Sequence, residues 1–392
     1  MNKNLSIGIV LSLFSVSILA QKSVENVIFQ IEKNNTTLLA LRKNTDANKI
    51  ENKTGIYLQN PELTYSYLWG NPSSIGNRTD VSIKQSFDFP TAYAYRNQIS
   101  DIKNEQEELD FLKQRNAIIL QTRLICSNLI YLNALNSELT KRQANAQTIA
   151  KSYKAKFDVG EVNILEYNKS QLNLLNINKD IEWKEVEQNE LLTKLASLNG
   201  GISIPFTEDV FQLQTIPADF EQWYVQSEQN NPVLKWIKQE ITLSEKNVKL
   251  NTALGLPKFQ AGYMSEYIVG QHFQGATIGL SIPLWENKNR VKYAKAKTEA
   301  MQNIESDNKL QFYNGLKTLH TKALSLQNNV NDYRKNLQQF NSSELLKKAL
   351  DKGEISLYEY TLELSAYYES INKILELEKE LNKTVAELNQ YI

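Results

Sequence analysis

Two short stretches carry most of the residues whose types and spacing point to chemistry. GEVNILEY begins at Gly160 and GEISLYEY begins at Gly353. Each holds two carboxylates, Glu161 with Glu166 and Glu354 with Glu359. Carboxylates in pairs can relay protons, attract cations or cap helices. Nothing beside them completes a catalytic set. No nucleophile–base pair, phosphate loop or dinucleotide fingerprint stands out, so no enzyme is expected. His272 and His320 are the only histidines and stand apart. Cys126, Met264 and Met301 cluster with neither, so no metal site and no cofactor is expected.

The same stretches also read as helix-end chemistry. Gly160 and Gly353 suit the left-handed position that closes a helix. Asn163 and Ser356 are good N-caps with Glu166 and Glu359 three residues on. Ser356/Glu359 spells a capping box and Asn163/Glu166 a close variant. Val162 and Ile355 precede the caps, and Tyr167 and Tyr360 stand where a hydrophobic staple needs them. The chain is therefore predicted to turn back at 158–163 and again at 351–356. In a trimer six such turns would form one end of a tube, with Glu161, Glu166, Glu354 and Glu359 around it. Such a ring favours cations and gives a pH-sensitive closure. Capping alone also accounts for Glu166 and Glu359, which the helix dipole favours.

Long helices must position these turns. Gly160 is the only glycine between Thr91 and Asn199, and no proline occurs from Thr91 to Ile204 or from Leu284 to Ile392. Proline costs about 3 kcal/mol inside a helix, so its absence permits very long ones. A helix from Thr91 to about Phe157 would run roughly 100 Å, too long for a compact globular domain. The returning helix of the second stretch spaces Leu357, Tyr360, Leu364, Tyr367, Ile371, Ile374, Leu381, Val385 and Leu388 by threes and fours, with Glu378 breaking the seam. That is a heptad pattern. In the first stretch Lys184 and Gln188 interrupt Leu174, Ile177, Ile181, Leu191, Leu195 and Leu198. The interruption fits either a helix with one wet side, as at a lumen, or an imperfect coiled coil.

The chain matches itself. EKNNTTLLALRKN (32–44) falls over EQNNPVLKWIKQE (228–240), Pro61 over Pro257, SIKQSFDFP over TIGLSIPLW and Gly160 over Gly353. The shift is nearly constant at roughly 195 residues, the mark of an internal duplication. A first repeat over 21–199 and a second over 219–392 follow, joined by a linker at 200–218 that holds Gly200, Gly201, Pro205 and Pro217. Each repeat reads as a helix, a β-hairpin (58–89 and 257–285) and a long helical hairpin. In the first β-hairpin Leu63, Tyr65, Tyr67 and Trp69 alternate with polar residues, as do Val81, Ile83, Phe87 and Phe89. GNPSSIGNR and GQHFQG are predicted loops, which places His272 in the second. Spans of about 9–11 residues with an apolar, aromatic face fit transmembrane β-strands. Two soluble hairpins covering a core would show the same alternation. Four strands cannot close a barrel and open edges are forbidden in lipid, so the membrane reading requires subunits to share one barrel, twelve strands from three copies.

Composition narrows the classes. The 392 residues carry 44 Lys and Arg against 44 Asp and Glu, so no basic face for nucleic acid is expected. Residues 1–20, with Lys3, an apolar run from Ile7 to Leu19 and Ala20, read as a signal peptide. Export is expected, and no later stretch is expected to cross a membrane as a helix. Cys126, the only cysteine, excludes an internal disulfide and reads as a buried small hydrophobe.

The order of these features resembles the TolC family of outer-membrane efflux proteins over essentially the whole mature chain. NPEL before the first strand, QSFDFP closing the first hairpin, NNPVL opening the second half and the two G-E-[VI]-x-x-x-E-Y turns carry the resemblance. NPEL and QSFDFP are most similar to the outer-membrane subunits of cobalt–zinc–cadmium and copper efflux systems. The resemblance implies a mainly α fold with transmembrane β: a homotrimer with one 12-stranded β-barrel in outer-membrane lipid and an α-helical barrel in the periplasm. It implies a passive conduit for substrates, heavy-metal cations among them, driven by an inner-membrane pump of the RND type through a periplasmic adaptor. Drugs or secreted proteins are alternative cargoes, and a soluble periplasmic coiled-coil scaffold or adaptor is the competing reading. By match to the family's tip pattern Gly160, Glu161, Gly353 and Glu354 would lie at the adaptor-docking turns, with Glu166 and Glu359 near the aperture. The N-terminal lipidation cysteine of many relatives is absent, so anchoring would rest on the barrel.

Overall fold

A computed structural model of the chain describes residues 24–392. The expected signal peptide lies outside the described residues. Helix α1 covers 24–34, followed by α2 (Thr36–Glu51), β1 (Glu62–Leu68), β2 (Arg78–Phe87), α3 (Pro90–Asp158) and α4 (Ile164–Leu198). After an irregular segment come α5 (Phe220–Asn230), α6 (Pro232–Ala253), β3 (Lys258–Ile268), β4 (Gln271–Ser281), α7 (Arg290–Gln339), α8 (Ser343–Asp351) and α9 (Leu357–Leu388). α3 runs unbroken for 69 residues.

The chain divides into two compact units. The first comprises the described residues up to Leu39 together with Gln114–Asn230 and Phe312–Ile392. Its largest core cluster joins Val27 and Ile31 of α1, Ile125, Cys126 and Leu129 of α3, and Leu195 of α4. Leu129 and Leu195 are fully buried, each contributing about 1.5–3 kcal/mol of hydrophobic stabilisation. This stretch of α3 lies in the one helix among the described residues that is apolar and long enough to cross a membrane, against the expectation of none, but half of the apolar window is buried. The linker is also part of this core. It forms no helix or strand, yet Ile204, Phe206 and Phe211 insert into the cluster. Side chains rather than a ladder hold its backbone: Asn133 donates to the Glu208 carbonyl at 2.8 Å and Gln327 to the Gln214 carbonyl at 3.1 Å. Gly and Pro announced a loop here, and the alternating apolar residues between them make it a packed strap.

The second unit comprises Ala40–Lys113 and Asn231–Gln311. Within it α2 and α6 pack along α3 through a polar zipper. Glu108 of α3 accepts from Arg42 at 2.8 Å and pairs with Lys49, Glu107 accepts from Asn48, and Gln106 donates to Glu240. The four strands form one antiparallel sheet in the order β1-β2-β3-β4.

Three expectations need correction. The leading helix of each repeat is two helices, broken at Asn35 and Asn231. Asn35 accepts from the Leu38 amide at 2.8 Å and Asn231 from the Val233 amide at 2.8 Å, so each caps the following helix. Asparagine caps better than it propagates, which the helical pattern concealed. The second outgoing helix, expected to be continuous, is interrupted at 340–342 between α7 and α8. GQHFQG is not a loop. Val269 and Gly270, at φ 44° and 79°, alone make the turn, and His272 lies in β4 opposite Tyr267. A two-residue turn with both residues left-handed matches the twist of the strands, so the strands extend to meet it.

Candidate functional site

The two helical turns share one geometry. Gly160 and Gly353 stand at φ 77° and 74°. Glu161 N–H bonds the Lys156 carbonyl at 2.8 Å and Glu354 N–H the Ala349 carbonyl at 2.9 Å. Gly160 and Gly353 donate to Phe157 and Leu350 at 3.0 and 3.1 Å, which completes the closing pattern at both helix ends. Full capping boxes then start α4 and α9. Asn163 accepts from the Leu165 and Glu166 amides at 2.9 Å, and Ser356 Oγ accepts from the Glu359 amide at 3.2 Å. Glu359 in return accepts from the Ser356 N–H at 2.8 Å and its hydroxyl at 2.9 Å. Those bonds hold its carboxyl below the usual carboxylate range. Glu166 makes the looser contact, 3.4 Å to the Asn163 N–H.

The first unit brings the two turns together. Tyr153, Ile149 and Val162 of the first turn pack with Leu350, Ile355, Leu357, Tyr360 and Leu364 of the second. Asn145 donates to the Tyr360 hydroxyl at 2.8 Å, and Arg142 donates to Asn372 Oδ1 at 2.8 Å while lying 4.3 Å from the Tyr368 ring centre. Lys169 of α4 sits 4.0 Å from the Tyr358 ring centre. Glu161 and Glu354 are exposed, Glu354 within 3.8 Å of Lys352. Val159, Leu165 and Tyr358 are also exposed beside the turns. Sequence reasoning passed over these residues because the turn chemistry accounted for their neighbours; three large hydrophobic residues outside the staple positions were the available signal.

The sheet presents two unlike faces. Residues in register across the strands place Leu63, Ile83 and Tyr263 in one row, Tyr65 and Val81 in the next, and Phe87, Phe259 and Leu280 near the other end. This face is open and mainly apolar, interrupted by Gln85, Ser265, His272 and Gln274: Tyr65 and Ile278 are 67% and 90% exposed. Trp69, just beyond β1, meets Tyr67 edge-on at 5.6 Å, and Phe89, just beyond β2, packs on Phe259 at 6.3 Å. Phe87 and Phe89 are half-buried. The reverse face carries Glu62 opposite Lys84, and Arg78 bonded to Asp80 at 2.8 Å and to Glu266 at 3.0 Å. Phe273 interrupts that polar face, a residue hidden from sequence reasoning by the loop assignment. Among the described residues β1 and β4 each pair with one strand, leaving two open edges.

Among the described residues the histidines and the cysteine stand apart. His272 Nε2 lies 2.7 Å from the Ser265 hydroxyl, and His320 Nε2 lies 2.7 Å from the Pro217 carbonyl, beside Phe220. Cys126 is buried, and burial pushes its thiol up to about 12. Among the described residues no three His, Cys, Asp or Glu side chains are grouped to hold a metal.

No family model matches the sequence, and no curated protein matches it. Solved structures do match the fold. The CmeC outer membrane channel of Campylobacter jejuni aligns with a TM-score of 0.77 at 15% identity, over 94% of this chain and 85% of that one. CusC, described through its folding and transmembrane channel formation, aligns at 0.78 and 13% identity, over 94% and 91%. The open-state MtrE outer membrane channel of Neisseria gonorrhoeae aligns at 0.67 and 11% identity, over 94% and 88%. The chain therefore has the fold of the outer-membrane channels, and the resemblance to the TolC family holds at the level of fold.

Proposed function

We propose that this chain is one protomer of a homotrimeric outer-membrane channel, the passive exit conduit of a tripartite efflux system. The observation that carries this reading is the sheet, with its open apolar face and two unpaired edges, in a chain with this fold. Every backbone polar group must be paired inside a bilayer, so β4 of one copy needs β1 of the next. Three copies close twelve strands in outer-membrane lipid, and the helical part stands in the periplasm. The chain is organised as a first repeat (21–199), a joining segment (200–218) and a second repeat (219–392).

The conduit performs no chemistry of its own. Its driving force comes from an inner-membrane pump, of the RND type by the family resemblance, through a periplasmic adaptor. Gly160, Glu161, Gly353 and Glu354 form the docking turns, a reading supported by their exposure and by the exposed Val159, Leu165 and Tyr358 beside them. Glu166 and Glu359 are the acidic candidates for the aperture, although both carboxylates already serve helix caps. The cargo is a substrate of the pump, with heavy-metal cations, drugs and secreted proteins all compatible with a passive tube.

Reconstitution in a planar bilayer tests the reading. Purified protein is expected to give discrete conductance steps, and its failure to conduct would remove the channel. The docking turns are tested by Gly160→Val with Gly353→Val. An added Cβ at either glycine meets nothing within 4 Å, so the substitution strains only the left-handed backbone. Export in cells should fall at least tenfold while bilayer conductance is retained. Unchanged export would remove the docking role.

A further inference from the structure

Two arginines tie neighbouring helices to α9 in the first unit, and they are satisfied differently. Half-buried Arg334 of α7 meets the buried carboxylate of Glu378 at 2.6 Å. Arg142 of α3 is placed deeper, 7% exposed, and meets only neutral groups. Its Nη2 donates to the Tyr368 carbonyl at 3.3 Å and to Asn372 Oδ1 at 2.8 Å. Its Nε is buried without a hydrogen-bond partner. Burial pulls its pKa below the usual guanidinium value, and Glu138 and Asp180 reach it only through space. The Tyr368 ring, 4.3 Å away, offers one face of the cation a partial charge. A charge taken so far from water ordinarily has an ionic partner.

Arg142 lines a cavity of about 380 Å³ between α3, α4 and α9. That volume lies within the range of about 300–1,000 Å³ common to small-molecule sites. Leu135 and Leu139, each 5% exposed, line it beside Arg142 on α3. Its remaining charged groups are Asp180 and Lys184 of α4 and Glu369, Lys373 and Glu376 of α9. All but the half-buried Lys184 are exposed. Lys184 is held by Glu187 at 2.9 Å, and Glu376 lies 3.6 Å from Lys379. Lys373 stands four residues after Glu369 and three before Glu376, spacings at which helical side chains meet. Water screens these outer charges, so the buried guanidinium decides the sign of what the cavity takes.

We propose that this cavity binds a small organic carboxylate, with its anionic end at Arg142 and its apolar body on Leu135 and Leu139. A guanidinium is weakly hydrated and matches the geometry of a carboxylate, which favours it as the inward end of the ligand. The two leucines favour a hydrocarbon chain over a fully hydrated inorganic ion. The site is independent of the channel reading, since all three helices belong to one chain.

Thermal unfolding of the full-length protein in detergent tests the site, with sodium butyrate exchanged for sodium chloride at constant ionic strength. Butyrate at about 50 mM should raise the unfolding midpoint by about 2 °C or more, as a ligand of the native state does. An unshifted midpoint overturns the site, as would occur if a carboxylate of a second copy already met Arg142. Asn372→Asp puts a carboxylate of the chain's own where the amide oxygen stands, 2.8 Å from Arg142. This variant should lose the butyrate shift; a retained shift overturns the site, because the anion would then act elsewhere. Acetate should give less than about half the shift of butyrate, in keeping with about 0.8 kcal/mol per buried methylene. Equal shifts would overturn the placing of the hydrocarbon on Leu135 and Leu139.

Discussion

Replacing Ile278 by lysine separates a sheet in lipid from a sheet in water. Ile278 is 90% exposed on the apolar face of β4 and pairs with Ala261, one row from Phe259–Leu280 and one from Tyr263–Ala276. It lies well inside the apolar rows. At the bilayer midplane a lysine on the lipid face costs about 2–4 kcal/mol per chain, and a trimer carries that cost three times. On a soluble hairpin the same change at so exposed a position stays within about 0.5 kcal/mol. The control is Gly275→Lys, three residues earlier on the opposite face, where an added Cβ meets nothing within 4 Å. The assay is the fraction of protein recovered from the outer membrane as a detergent-resistant oligomer. Ile278→Lys should lower it about 30-fold or more, the equivalent of about 2 kcal/mol, while Gly275→Lys lowers it little. Equal recovery of the two variants would refute the assignment of the apolar face to lipid.

Three further outcomes follow from the packing. Burial raises the Glu378 carboxyl above its ordinary range, outweighing Arg334, so the native protein holds that proton more tightly than the unfolded chain. The resulting stability is complete below the unfolded pKa and is lost as pH rises through the raised value. Glu378→Gln should therefore match the parent near about pH 3.5 and stay within about 1 kcal/mol at neutral pH by thermal unfolding; a loss above about 2 kcal/mol would mean that the ion pair is a net support. At Gly200, with φ 68°, an added Cβ would stand 2.5 Å from the Asn34 carbonyl, whereas at Gly201, with φ 86°, it would meet nothing. Gly200→Ala should cost about 2–4 kcal/mol and Gly201→Ala about 1 kcal/mol, a difference readable in denaturant titrations. Cys126 should react with a maleimide about a thousandfold more slowly in the native protein than after unfolding, since burial pushes its thiol up to about 12; rapid native labelling would contradict its place in the core.

Local chemistry was legible and breaks in long helices were not. The turns at Gly160 and Gly353 could be read because glycine, cap and returning glutamate stand at fixed offsets. Asn35 and Asn341 interrupt helices without glycine or proline at the interruption, and asparagine inside a polar helix leaves little trace in periodicity; at Asn231 the following Pro232, at the first position of α6, was the available signal. The strap at 200–218 was hidden by its glycines and prolines, although Ile204, Phe206 and Phe211 marked it as buried. The ion pair from half-buried Arg334 to buried Glu378 explains the one charged residue in the α9 seam, which sequence alone registered only as an exception. The cluster joining the two turns had no sequence signal, since Tyr153 and Leu350 meet only through tertiary packing.

The most direct test of the shared barrel is the molar mass of the purified protein with and without detergent, by light scattering. A particle near three times the mature chain, itself slightly below the 45.0 kDa of the full sequence, stable in detergent and aggregating without it, is the predicted result. A monomer or dimer that stays soluble in water would place the sheet outside lipid and contradict the channel.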